Sequence, residues 1–389
     1  MFIPSDGHCA LKTTKTAAIA QRRDGTDGQI RPLLRDVLCS RGGIFQLLRA
    51  MRDTEKRVIS RRQQDIVAPA ADLLGAAGPT RAEFLRAALA GILLSTGTPA
   101  AGQVWDDSAF CAGPMLTRPI PSTGETMPVI GLGTWQVFDV AADPAARRPL
   151  QKVLRLLLDS GGRMIDSSPM YGPAEAVIGD LLTDMAARPR VFLATKVWTT
   201  GRERGIEQIQ RSTQLLRTQV IDLIQIHNLV DWHTQLATLR AMKAEGRIRY
   251  IGITHYTTSA LPELARILQT GPGIDFVQLG YSLGTRAAET ELLPTAAARG
   301  VAVITNQPFG QGDLFRRVRG RTLPDWAAEF DCESWAQLFL KYILAEPAVT
   351  CVIPATNNPD HMKDDLGAGL GRLPEPRQRQ KIREFWDAG

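Results

Sequence analysis

This chain of 389 residues lacks the usual signatures of metal and disulfide chemistry. Its five cysteines, Cys9, Cys39, Cys111, Cys332 and Cys351, stand singly and form no CxxC pair. The number is odd, so neither a disulfide framework nor a zinc site is expected. There is no HExxH, and His227, His233 and His255 lack zinc-ligand spacing, so no catalytic metal is expected; His233 is placed on a loop surface. Membrane-length hydrophobic runs are missing as well. The apolar run Ala87–Leu94 is too short to cross a bilayer, which argues against stable membrane insertion. A strong charge of one sign is also absent from the main body. Residues 1–115 hold 15 Lys/Arg against 11 Asp/Glu, and the remainder holds 31 against 29. The net charge of +6 therefore sits mainly in the leader, and a nearly neutral body argues against nucleic acid as a partner.

What is present begins with two unlike leader segments. Residues 1–79 mix Arg, Gly, Gln and Ala without sustained periodicity and read as a basic, disordered arm. Residues 80–115 form a signal-like apolar segment and a linker. Within them, Thr80-Arg-Ala-Glu-Phe-Leu-Arg86 precedes the apolar run and then small residues, an order similar to a twin-arginine export signal, but with Ala82 where the second arginine belongs. Two readings stay open: a periplasmic enzyme if that segment is functional, or a cytoplasmic one in which it is a short amphipathic helix or a decayed signal.

From residue 116 to 389 the pattern turns regular. Thr117–Ile120 and Thr126–Val129 flank Pro-Ser-Thr-Gly-Glu, which predicts a β-hairpin. Strands are expected at Val129–Gly133, Met164–Asp166, Val191–Thr195, Leu223–Ile226, Arg249–Ile253, Phe276–Leu279, Ala302–Thr305 and Val349–Ile353. Helical spacing falls between them, at Pro149–Ser160, Ala174–Met185 and near 205–218, 234–245, 259–269, 289–299 and 334–345. Eight βα units in this length predict a closed (β/α)₈ barrel of the TIM type. An open doubly wound sheet fits less well, because no GxGxxG opens a helix after a strand; Gly131-Leu-Gly133 lacks the third glycine.

Residues at the C-terminal ends of barrel strands converge on one mouth. Asp166, Lys196 and His227 end three successive strands, and Tyr171 follows the first of them. Together they suit carbonyl reduction. A phenol can protonate the developing alkoxide, and a nearby ammonium is expected to lower its pKa. A carboxylate can keep that buried ammonium charged, and an imidazole can orient the carbonyl. Singly each is weak evidence: Asp166 could be a cap, Tyr171 a turn residue, Lys196 could reach solvent, and His227 could be an ordinary core histidine.

Gly131-Leu-Gly-Thr-Trp135, Met164-Ile-Asp-Ser-Ser-Pro-Met-Tyr-Gly-Pro-Ala-Glu175, Ala194-Thr-Lys196 and Leu223-Ile-Gln-Ile-His227 resemble the aldo-keto reductase family, in order, over about 116–370. The resemblance implies NADPH-dependent reduction of an aldehyde or ketone, with NADH possible, and puts Asp166, Tyr171, Lys196 and His227 on the four catalytic positions. It also implies cofactor contacts. Thr134 would meet the nicotinamide ribose, Thr254 and His255 would occupy a Ser-Asn pair that binds the carboxamide, and Gln278 would be their partner. Asn306, Pro308 and Gly310 would follow, and Pro354, Ala355, Thr356, His361 and Asp365 would cradle the adenosine end near a helix beginning at Pro359. Three departures stand out: Asn306 replaces a stacking aromatic ring, Ala355 and His361 replace cations, and Asp365 replaces an asparagine. Arg316, Arg317, Arg319 and Arg321 are candidates to reach the cofactor phosphates instead, or form a solvated basic loop. Trp135 and Trp198, with the loop near Trp232, suggest a pocket for an apolar or aromatic carbonyl. A monomer acting on a small molecule is expected. The alternatives are a cofactor-binding regulatory or sensory subunit and, less favoured for want of ligands, a metal-dependent hydrolase barrel.

Overall fold

The computed structural model describes residues 114–389 apart from Ala141. The readings of residues 1–79, and nearly all of those for 80–115, lie outside the described residues. The hairpin forms as expected: β1 (Thr117–Pro119) pairs antiparallel with β2 (Thr126–Pro128). Eight parallel strands follow: β3 (Leu132–Gly133), β4 (Met164–Asp166), β5 (Phe192–Val197), β6 (Ile221–His227), β7 (Ile248–His255), β8 (Phe276–Gly280), β9 (Ala302–Asn306) and β10 (Val349–Val352). They are hydrogen-bonded in sequence order. The ring closes where Gly131 N donates to Val352 O at 2.9 Å and Gly133 N to Pro354 O at 2.9 Å. A parallel (β/α)₈ barrel is therefore the fold.

Helices cover the outside: α1 (Pro144–Asp159), α2 (Ala174–Asp184), α3 (Arg202–Leu215), α4 (Trp232–Ala244), α5 (Leu261–Thr270), α6 (Leu292–Arg299), α7 (Asp313–Arg317), α8 (Trp335–Leu344), α9 (Pro359–Gly367) and α10 (Pro376–Asp387). Two boundaries differ from the sequence reading in an instructive way. α1 starts at Pro144, not Pro149, because the Asp143 side chain accepts from Ala145 N and Pro144 suits a first turn. Pro149 lies inside and forgoes one backbone bond. α10 has no counterpart among the expected helices. It buries only Ile382 and Trp386, and is held by charge: Arg379 and Arg383 both pair with Glu289. Two buried residues make too thin a stripe to register as helical periodicity.

Because side chains alternate along a strand, every second residue points into the barrel. The lower interior is apolar. Met164, Phe192, Leu223, Tyr250 and Phe276 form one cluster, closed from below by Ile120 and Met127 of the hairpin region. The Tyr250 and Phe276 rings lie 5.4 Å apart, edge to face, and Tyr250 sends its hydroxyl to Glu125 in the hairpin turn at 2.7 Å. Two to four residues further along the same strands, the interior becomes polar.

Candidate active site

Asp166 ends β4 and faces inward at the mouth, almost wholly buried. A carboxylate removed from water needs donors, and three converge on it. Lys196 Nζ donates to Oδ2 at 2.6 Å, while Gln225 Nε2 and Gln278 Nε2 donate to Oδ1 at 2.8 and 2.9 Å. Lys196, only 1% exposed, also donates to Ser167 O at 2.8 Å. Burial pulls the lysine pKa down, but Asp166 and Tyr171 together outweigh it, so the ammonium is held above its ordinary value. Reach into solvent, the bland alternative for Lys196, is excluded by this burial.

Tyr171 stands beside that pair, with Lys196 Nζ 5.0 Å from its ring centroid. The expected lowering of the phenol pKa is not found. Burial pushes it up, Lys196 pulls it down, Asp166 raises it again, and the net direction is upward. Burial is the largest of these effects, and the carboxylate 2.6 Å from the ammonium offsets part of what Lys196 does to favour a phenolate.

His227 ends β6. Its ring lies 6.4 Å from the Tyr171 ring, edge-on, and 6.1 Å from that of Trp198. Burial first, then Lys196 and His255, push its pKa down to about 3. The imidazole is therefore neutral at any ordinary pH. Trp198 and Trp135 are both exposed at the same mouth, as a pair of pocket walls would be. Trp232 instead packs half-buried against the core, and His233 stacks on it at 3.6 Å in the first turn of α4, not on a loop.

The remaining expected contacts divide into those built into the polar layer and those around its rim. Thr134 is buried and donates to Asp166 O at 2.9 Å. Thr254 faces inward and donates to Gln278 Oε1 at 3.3 Å, and Asn306 Nδ2 reaches the same oxygen at 3.1 Å. His255 belongs to the opposite face of β7: its Nδ1 is taken by Thr257, and its ring stacks on Tyr256. Pro308 and Gly310 lie in the turn after β9, where Gln307, Gly310, Gln311 and Gly312 all have positive φ. Pro354 helps close the barrel, Ala355 is exposed beside Gly133, and Thr356 precedes Asn358, which caps α9. On α9, His361 is exposed, whereas Asp365 is buried with its pKa raised well above the usual carboxylate range by burial. Three of the four loop arginines have partners of their own. Arg317 and Arg321 bond the backbone of Trp386 and Gly389 at the C-terminus, and Arg316 pairs with Asp313.

Gln225 was not singled out from sequence. The available signal was a glutamine interrupting the apolar run Leu223-Ile-Gln-Ile, two residues before His227 and so on the same inward face. Its room comes from Gly252 on the neighbouring strand, where a Cβ would approach Gln225 Cγ to 2.9 Å.

Among the described residues, no group of three or more His, Cys, Asp or Glu could hold a metal ion, and no helix is long and apolar enough to cross a membrane. The fold and site thus define a (β/α)₈ barrel with a phenol, an ammonium, a carboxylate and a neutral imidazole at its C-terminal mouth. Comparison with known proteins agrees with that class. The Aldo/keto reductase family model matches residues 129–386, and the chain belongs to that family. Methylglyoxal reductase YeaE of Escherichia coli is 28% identical over 246 residues, covering 61% of this chain and 84% of the relative. The 9,11-endoperoxide prostaglandin H2 reductase of Trypanosoma cruzi is 26% identical over 262 residues, covering 65% and 86%. An aldo/keto reductase from Klebsiella pneumoniae, solved with NADP and acetate, superposes with a TM-score of 0.59 at 25% identity, covering 68% of this chain and 93% of that one.

Proposed function

We propose that this protein reduces an aldehyde or ketone to an alcohol with NADPH, using Tyr171 as proton donor, Lys196 and Asp166 as the pair beside it, and His227 to orient the carbonyl. The observation that carries the proposal is the buried Asp166–Lys196 pair at 2.6 Å with the Tyr171 ring against the ammonium. A buried ion pair is a costly way to gain stability and a good way to hold a fixed charge beside a reacting proton.

The mouth suits a nicotinamide cofactor. Asn306 Oδ1 is buried without a partner at the end of β9, an acceptor left for a ligand donor. Gln307, Gly310, Gln311 and Gly312 all have positive φ, so the chain turns tightly just after that acceptor. Thr134, Thr254, Gln278, Asn306, Pro308 and Gly310 would hold the nicotinamide and ribose half, and Pro354, Ala355, Thr356, His361 and Asp365 the adenosine half. Fewer cations there than the family often carries imply a weaker preference for NADPH over NADH. When bound, the cofactor supplies a hydride.

The chain's own residues do the rest. A neutral imidazole donates a hydrogen bond to the carbonyl oxygen without competing for its proton. Tyr171, with its pKa above the ordinary value, keeps its proton at neutral pH and releases it to the far more basic alkoxide. Lys196 stabilises the phenolate left behind. Trp135 and Trp198 flank the entrance and favour an apolar or aromatic carbonyl.

The test is oxidation of NADPH and NADH by the full chain with a panel of aldehydes and ketones, with Tyr171→Phe as control. The expected result is turnover that falls about 10²–10⁴-fold in the variant. Cofactor binding without turnover on any substrate would favour a regulatory or sensory subunit, the reading that Asn306 in place of an aromatic ring supports.

A further inference from the structure

His227 is neutral, and a neutral imidazole carries one proton on one of two nitrogens. Only the tautomer with its proton on Nε2 leaves Nδ1 as an acceptor, and the residue facing Nδ1 decides which form is present. That residue is Ser168. Its hydroxyl is fully buried and lies 3.5 Å from His227 Nδ1. A third partner favours one direction for the bond: Met170 N donates to Ser168 Oγ at 3.3 Å. With an N–H pointing at its oxygen, the hydroxyl proton is free to turn toward the imidazole. The Tyr171 ring lies edge-on at 6.4 Å and the Trp198 ring at 6.1 Å.

We infer that Ser168 is a positioning residue that donates to His227 Nδ1, fixes the Nε2–H tautomer and thereby aims an N–H donor at the substrate carbonyl. The chain Met170 N–H to Ser168 Oγ–H to His227 Nδ1 runs in one direction, and its last member is the donor that the carbonyl meets. The segment Asp166-Ser-Ser-Pro-Met-Tyr171 then does three things within six residues: it supplies the carboxylate, the phenol and the hydroxyl that sets the imidazole. Nothing about Ser168 in the sequence alone points to this, since Ser167 beside it is just as buried yet leaves its Oγ without a partner.

This inference rests on the carbonyl-reductase reading for its kinetic arm but not for its spectroscopic one. The chain has five histidines, few enough to resolve. In full-length protein labelled with ¹⁵N-histidine, two-bond ¹H–¹⁵N spectra should show His227 protonated on Nε2. In Ser168→Ala, the Nδ1 resonance should move downfield as it loses its donor. Wild-type protein protonated on Nδ1, or an Nδ1 resonance unmoved in the variant, overturns the proposal whether or not the protein turns over. In kinetics, Ser168→Ala should lower kcat/KM for the carbonyl about tenfold with NADPH affinity unchanged, and Ser168→Thr should restore most of it. An unchanged kcat/KM in Ser168→Ala, with Tyr171→Phe inactive, would also overturn the role of Ser168 while leaving the reductase reading intact.

Discussion

The lower and upper halves of the barrel interior are built on the same strands, two to four residues apart, and follow opposite rules. Below, Phe192, Leu223, Tyr250 and Phe276 fill space with apolar volume, and only Tyr250 carries a polar atom, which escapes to the hairpin. Above, Gln225 and Gln278 stand in the next inward-facing positions of those strands, Lys196 and Thr254 stand one inward position further, past Ala194 and Gly252, and every one is hydrogen-bonded. The difference teaches that one half of the interior is held by packing and the other by paired polar groups. Dry packing at the bottom is indifferent to protonation. The polar layer works only if each donor meets its acceptor, because in a water-excluded site an unmet group costs more than the bond would gain.

That contrast can be broken most forcefully at its charged centre. Lys196→Met leaves Asp166 buried with its amide donors but no cation, and should destabilise the fold by about 3–5 kcal/mol and abolish turnover. Urea unfolding of Lys196→Met and of the double variant Asp166→Leu/Lys196→Met measures it: the double variant should recover most of the stability and none of the activity. A double variant no more stable than the single would mean that the pair is part of the fold's support.

Phe276→Ala probes the lower half and should cost about 3–5 kcal/mol through the cavity it opens. Cofactor affinity should be unchanged at temperatures where the variant remains folded. Loss of affinity at full folding would show that the two halves are not separable.

Gln225→Leu removes one amide donor from Asp166 and also the buried Gln225 Oε1, which has no partner. The stability change should stay within about 1 kcal/mol, since an orphaned acceptor goes with the lost bond. Turnover should fall by about tenfold, measured as kcat with NADPH saturating. A large loss of stability would place Gln225 with the packing layer.

The smallest expected effect is on pH dependence. Because the imidazole titrates only near pH 3 and the phenol lies above its ordinary value, kcat/KM for reduction should be flat across roughly pH 5 to 9. Activity should fall only on the alkaline side, as the phenol loses the proton it must donate. For stability the sign is the reverse of a stabilised cation. His227 binds its proton more weakly folded than unfolded, so stability should decline as pH falls below about 6.5. A bell-shaped rate profile centred near pH 7 would contradict the neutral His227.

Much of this was legible in the chain itself, and the reason is local in each instance. Eight short apolar runs separated by helical spacing, with turn residues between them, leave few other folds for a chain of this length. Asp166, Lys196 and His227 announce themselves as polar residues closing apolar strands, which a core position would not tolerate without a partner. The charge-held helix Pro376–Asp387 did not announce itself, because its support comes from Glu289 nearly a hundred residues away. The loop arginines follow the same rule: their positive charge is plain in sequence, but the partners of Arg317 and Arg321 lie at the C-terminus.

The amino-acid sequence by itself determined the barrel, the mouth and the identities of the four groups that meet there, because alternation and strand-end position are properties of neighbouring residues. Tertiary structure alone decided the balance among them. The phenol's pKa rises although an ammonium stands beside it, Gln225 clamps Asp166 through space left by Gly252, and Ser168 but not Ser167 finds the imidazole. Each of these depends on distances between atoms far apart in the chain, and electrostatic and hydrogen-bond energies follow those distances, not the order of residues.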